Sequence, residues 1–107
     1  MKKVSELRKE RTALLGEIRA TAIALLEKTE EEGYLFGDAD YTTINHEMKF
    51  TDTPVRCRVV GVSLDIDIPM VQLNFIDADE YVSVELSNLN IDDQLEILDV
   101  LEDNLDD

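Results

Sequence analysis

The sequence predicts an α+β fold: a long N-terminal helix, a four-stranded antiparallel meander and an acidic C-terminal helix, with both helices on one face of the sheet. Three observations predict it. Between Tyr41 and Leu89 apolar residues return at every second position, in the rows Ile44/His46/Met48/Phe50, Val55/Cys57/Val59, Val71/Leu73/Phe75 and Val82/Val84/Leu86. Such alternation places one face of a strand on a core and the other towards water, as in an antiparallel sheet covered on one side. On either side of this stretch the apolar period lengthens to that of a helix. A chain of 107 residues supports a single modest core, so 1–107 is expected to be one domain.

From about Lys3 to Glu32, steps of 100° bring Leu7, Leu14, Ile18 and Leu25 together, with Val4, Leu15, Ala22 and Leu26 alongside. This broad apolar stripe is the face expected on the sheet. A second face carries Ala13, Gly16, Ala20 and Ala24, and a row of small residues lets another helix approach closely. A glycine inside a helix costs about 1 kcal/mol relative to alanine, so Gly16 points to close packing or a kink. Lys2, Lys3, Arg8, Lys9 and Arg11 crowd one end of this helix, and Glu27, Glu30, Glu31 and Glu32 the other. Both clusters oppose the helix macrodipole. An antiparallel copy of the helix would pair each basic end with an acidic one, as a two-fold dimer requires; the acidic C-terminal helix is the intramolecular rival for the basic end.

Gly33 is expected to cap the first helix, and the following YLFGDAD to pack as a connector. Strand one is expected over Tyr41–Phe50, ended by TDTP, because proline lacks the amide that a ladder needs. Strand two starts at Val55, and its apolar parity slips at Val59, Val60 and Gly61, which predicts a bulge. The next turn falls in Asp65–Pro69, strand three over Met70–Ile76, a connection over Asp77–Glu80 and strand four over Tyr81–Ser87. Asn90 begins the last helix as its N-cap, with Asp92 and Asp93 suited to the positive pole. Ile91, Leu95, Leu98, Leu101 and Leu105 share one side, with Ile97 at its edge. Asp92, Glu96, Asp99, Asp103 and Asp106 line the other.

Charge separates the chain into two parts. Residues 1–33 balance seven bases with seven acids, so residues 34–107 supply the whole net charge of −15. A surface this acidic disfavours nucleic acid and anionic membrane, since binding either requires lysine or arginine against phosphate. No apolar run approaches the roughly 20 residues of a membrane-spanning helix. The charged start MKKVSELRKER lacks the apolar segment of a signal peptide, and a lone Cys57 suits a reducing compartment. The expected setting is cytoplasmic.

His46 and Cys57 are the candidates for nucleophilic chemistry, because a hairpin of strands one and two would bring them near one another. No local signature surrounds either residue, and a core role is expected for both. The pairs Asp38/Asp40 and Asp65/Asp67 and the group Asp77/Asp79/Glu80 lack the spacing of a calcium loop, and turn roles explain them. No metal, cofactor or enzyme activity is expected. The sequence therefore points to a non-catalytic protein-interaction module, homodimeric through the N-terminal helix at Ala13, Gly16, Ala20 and Ala24. The alternative is an acidic regulator or inhibitor that docks on a basic protein through Asp92, Glu96, Asp99, Asp103 and Asp106, imitating the charge of DNA.

Overall fold

The computed structural model describes residue 4 and residues 15–29, 33–47 and 53–105. The fold is α+β, with every strand pairing antiparallel. Helix α1 (Leu15–Leu26) is followed by strands β1 (Gly33–Leu35), β2 (Thr42–Glu47), β3 (Pro54–Asp65), β4 (Ile68–Phe75) and β5 (Glu80–Glu85), and then by helix α2 (Ile91–Leu105). Short 3-10 turns at Asp38–Asp40 and Leu86–Asn88 interrupt the path.

The sheet has five strands, where four were expected. The added strand comes from the connector. Leu35 lies opposite Gly61 and Thr42 opposite Val59, so β1 and β2 run along one edge of β3 in the same direction. They form one edge strand broken by the excursion of residues 36–41. The break coincides with the predicted bulge, since the β3–β4 register shifts between Val59 and Gly61. The carbonyl of Val60 accepts a hydrogen bond of 2.9 Å from the Phe36 amide. A bulged residue loses its ladder partner, and here the excursion supplies one. The meander order survives, with its first strand in two pieces.

Pairing of β2 reaches Glu47, and the expected extension to Phe50 lies outside the described residues. Of the two hairpins that follow, the first is tighter than expected and the second keeps its four-residue connection, shifted by one residue. β3 and β4 meet through Ile66 and Asp67 alone, so β4 begins at Ile68 and includes Pro69. Ile66 makes this possible by adopting φ 59°, in the left-handed region that branched side chains rarely enter. Proline is accepted inside β4 because pairing with β5 starts only at Met70, which leaves no ladder partner for a Pro69 amide on that side. Between β4 and β5 the turn spans Ile76–Asp79. Asp79 takes φ 50° and donates its amide to the Phe75 carbonyl at 2.7 Å. Strand β5 therefore covers Glu80–Glu85, starting one residue and ending two residues earlier than expected.

Helix α1 stops at Leu26, short of the expected Glu32. The amides of Lys28 and Thr29 turn back to the carbonyls of Leu25 and Leu26 at 3.1 Å, and the Thr29 hydroxyl donates to Leu26 O at 2.7 Å. Three-residue spacing in the final turn satisfies the orphan carbonyls and ends the helix. Gly33 is accordingly no helix cap. It sits in β1, where a Cβ would come within 2.7 Å of both Ser63 Cβ and the Val62 carbonyl. Extension of the helix back to Lys3, and with it Leu7, Leu14 and the basic cluster, lies outside the described residues apart from Val4. Val4 is fully buried, and its amide donates to Glu102 Oε2 of α2 at 3.1 Å.

One apolar cluster joins Ile18, Ala22, Leu25 and Leu26 of α1 to Leu95, Ile97, Leu98 and Leu101 of α2. Both helices pack on Ile44, Cys57, Val59, Val62, Val71, Leu73 and Phe75, the inner face of the sheet. Ile97 lies at the centre of this contact and not at its edge, while Ile91 remains 38% exposed. The expected cap is present, with Asn90 Oδ1 accepting the Asp93 amide at 2.8 Å. Among the described residues no helix is long and apolar enough to cross a membrane.

Candidate functional site

The sheet has a second face that neither helix covers. Strand register assembles it in rows. Leu35, Gly61, Gln72 and Ser83 form one row across the strands, and Arg58, Asn74 and Tyr81 form the next. Gly61 leaves a dip in the first row that no larger residue fits, since a Cβ there would stand 2.8 Å from the Tyr34 carbonyl and 3.2 Å from Leu35 Cδ2. Leu35 and Tyr81 rise on either side, exposed to 79% and 71%. Between them lies a shallow concavity of about 560 Å³ lined also by Tyr41, Val60, Gln72 and Ser83.

The chemistry of this face is mixed. Arg58 places its guanidinium carbon 5.0 Å from the centre of the Tyr41 ring, a cation–π contact that orients both side chains. Gln72 Nε2 donates to Ser63 Oγ at 2.7 Å and to Ser83 Oγ at 3.4 Å. On the core side of the same edge, Tyr34 and Phe36 meet edge to face at 6.1 Å. Arg56 and Arg58 are both exposed here, and they are two of only three bases beyond Gly33. The outer face thus concentrates the positive charge of the acidic part of the chain.

The residues singled out from sequence fall elsewhere. On α1, Gly16 and Ala20 are exposed and Ala24 is half-buried, while Ala13 lies outside the described residues. On α2, Asp92, Glu96 and Asp103 are exposed and Asp99 is half-buried, while Asp106 lies outside the described residues. The two sets belong to different helices and do not form one surface. Leu35, Tyr41 and Tyr81 were not singled out. Their signal was legible in part, because Tyr81 is an aromatic residue on the polar row of β5.

His46 and Cys57 do come onto neighbouring pairs of one hairpin. His46 pairs with Val55 and Ile44 with Cys57. Cys57 is fully buried and its thiol donates to the Val55 carbonyl at 3.3 Å. Burial pushes its pKa up, against a smaller lowering by a hydrogen bond with the His46 backbone. A thiol kept protonated and covered is no nucleophile. Across from this hairpin, burial raises the pKa of Asp93; its Asn90 hydrogen bond and the charge of His46 pull down, whereas Asp92 and Glu96 push up. Among the described residues no three His, Cys, Asp or Glu side chains converge as a metal site would require. No protein-family model, curated protein or solved structure matches the chain.

Proposed function

We propose that this chain is a non-catalytic protein-interaction module that pairs with a second copy of itself, and that the outer sheet face is the surface through which it pairs. The observation that supports this most is the exposure of Leu35 and Tyr81 on opposite sides of one concavity. Single exposed apolar residues are ordinary, whereas a contiguous patch calls for a partner. Tyrosine and arginine, the residues gathered here, are the types enriched where interfaces bind most strongly.

Charge favours a second copy as the partner. Two chains of net charge −15 repel one another wherever acids dominate. Arg56 and Arg58 make the outer face the place where that repulsion is least. A two-fold, face-to-face arrangement sets these arginines towards the acids at the sheet rim of the other copy, among them Glu47 and Glu80. The small-residue face of α1 is the other self-association surface, supported by the exposure of Gly16 and Ala20. The setting proposed is cytoplasmic, where the lone Cys57 stays a thiol.

Light scattering at low and high salt tests this reading, with Tyr81→Glu and Ala20→Glu beside the natural chain. Pairing predicts a mass near twice 12.2 kDa that persists in high salt. Loss of that mass in Tyr81→Glu assigns the sheet face, and loss in Ala20→Glu assigns the helix. A single-chain mass at both salts defeats the proposal. The second reading, an acidic regulator of a basic protein, draws support from the exposed Asp92, Glu96 and Asp103 of α2. Such docking weakens as salt shortens the screening length below about 8 Å.

A further inference from the structure

Away from the outer face, where α1 passes the start of β4 and the turn before α2, the structure holds a smaller and deeper cavity of about 320 Å³. Gly16 lines it, and the space around its Cβ position is open, with nothing within 4 Å. Ile68, Pro69 and Leu86 supply apolar wall, and Arg19, Glu85 and Gln94 supply polar groups. The volume is at the lower end of ligand-binding cavities, which suits a molecule smaller than a nucleotide.

Gln94 is the informative residue. It is 2% exposed, and an amide so placed normally has both ends satisfied. Its Nε2 donates to the Leu89 carbonyl at 2.7 Å. A carbonyl can only accept, so this bond fixes the amide orientation and leaves Oε1 as the other end. Among the described residues no donor reaches Oε1. No fully buried side-chain oxygen among them lacks a partner, so Oε1 keeps some accessible surface, and Gln94 lines the cavity. Among the described residues this acceptor is unused.

Two opposite charges accompany it. Arg19 is held by one bond, from Nη2 to the Asp67 carbonyl at 3.0 Å, which leaves most of its five N–H donors for a carboxylate. Glu85 accepts a bond of 3.5 Å from the Ser87 hydroxyl on Oε2, and its other oxygen can take an ammonium. We infer that this cavity binds a free α-amino acid with an apolar side chain. Its carboxylate meets Arg19, its ammonium meets Glu85 and Gln94 Oε1, and its side chain lies on Ile68, Pro69 and Leu86 where Gly16 leaves room. A lone anion would use Arg19 but meet Glu85 as a like charge. A lone cation would leave Arg19 unmatched. Only a zwitterion satisfies both.

The test is an amide-resonance titration of the full chain with leucine, valine, methionine and phenylalanine, and with N-acetyl-leucine and leucine amide as capped controls. The expected result is a saturable shift at Gly16, Glu85 and the Gln94 side-chain amide for at least one free amino acid. Each capped form should bind more than about tenfold more weakly, since each lacks one charge. Gly16→Leu, which fills the cavity with a good helix former, should abolish the shifts and keep the helical circular dichroism. Should that variant fail to fold, Arg19→Gln and Glu85→Gln should each weaken binding about tenfold. The inference is overturned by the absence of any saturable shift up to about 10 mM, a concentration at which even millimolar binders saturate, by equal binding of the capped forms, or by unchanged binding in the variants. Pairing of copies is read from mass and this binding from shifts, so either can fail alone.

Discussion

Ile66 is the residue with the clearest conflict between side chain and backbone. A branched residue at φ 59° in a two-residue hairpin stands where glycine or asparagine is normal. Its side chain is 87% exposed and gains little from packing, so the strain is not offset there. Ile66→Gly is therefore expected to stabilise the fold by about 1 kcal/mol in urea unfolding, with strain relief of about 1–3 kcal/mol reduced by the greater freedom of glycine in the unfolded chain. A loss of stability would show that Ile66 makes a contact in solution. Gly61 is the opposite case. Gly61→Ala pushes a Cβ against the Tyr34 carbonyl at 2.8 Å and should cost about 2 kcal/mol or more, because backbone and not a movable side chain is in the way. Asp93 gives the pH dependence. Its native pKa lies above the ordinary 3.8, so the native state holds this proton more tightly than the unfolded state and stability falls as pH rises through that window. The margin of the natural chain over Asp93→Asn should shrink as pH rises from about 3.8 through the native pKa, as read by urea unfolding at successive pH values. A margin that grows would reverse the assignment.

At the level of elements, the cap of α2 is the most direct prediction. Asn90→Ala removes the acceptor for the Asp93 amide and should lower stability by about 1 kcal/mol, with helical circular dichroism at 222 nm as the local readout. Elements of this kind were legible in the sequence because one residue type determines them. The cap is announced by Asn90 before an apolar period, and the bulge by the parity slip at Gly61. Other elements depend on partners distant in sequence, which periodicity does not record. Gly33 looks like a helix terminator, yet its role is set by the backbone of Val62 and Ser63 against it. The expected helix end at Glu32 failed because Thr29 closes the last turn with its own hydroxyl. The five-residue turn expected before strand three reduces to two residues because Ile66 accepts an unfavourable φ, which no propensity predicts. Gln94 escaped attention for a similar reason. A glutamine between Asp93 and Leu95 looks like the polar flank of a helix, and only the wide contact of α2 with both α1 and the sheet buries it. The outer-face surface was legible at Tyr81 alone, since Leu35 reaches it through a strand that alternation did not reveal.

For the molecule as a whole, charge and shape act against each other. A radius of gyration of 13.2 Å confines the acidic charge to a small volume, and self-repulsion of that charge weakens the compact state. Added sodium chloride should therefore raise the urea midpoint over the range where the screening length falls from about 30 Å at 0.01 M to about 8 Å at 0.15 M. A midpoint indifferent to salt would mean that Arg56, Arg58 and the bases of the first 33 residues already balance the field locally.

The order of the strands also has a consequence for time. β2, β3, β4 and β5 pair with their neighbours in sequence, and the β3–β4 hairpin is closed by two residues, so each pairing needs only a short loop to form. The bond from Val4 to Glu102 joins residues 98 apart, and its loop-closure entropy is recovered only after the sheet exists. The hairpins should thus be formed in the folding transition state, and the docking of Val4 on α2 should follow it. Ile66→Gly, acting within the nucleus, should speed folding with little change in unfolding. Val4→Ala should speed unfolding and leave the folding rate almost unchanged, the partition that stopped-flow chevrons resolve.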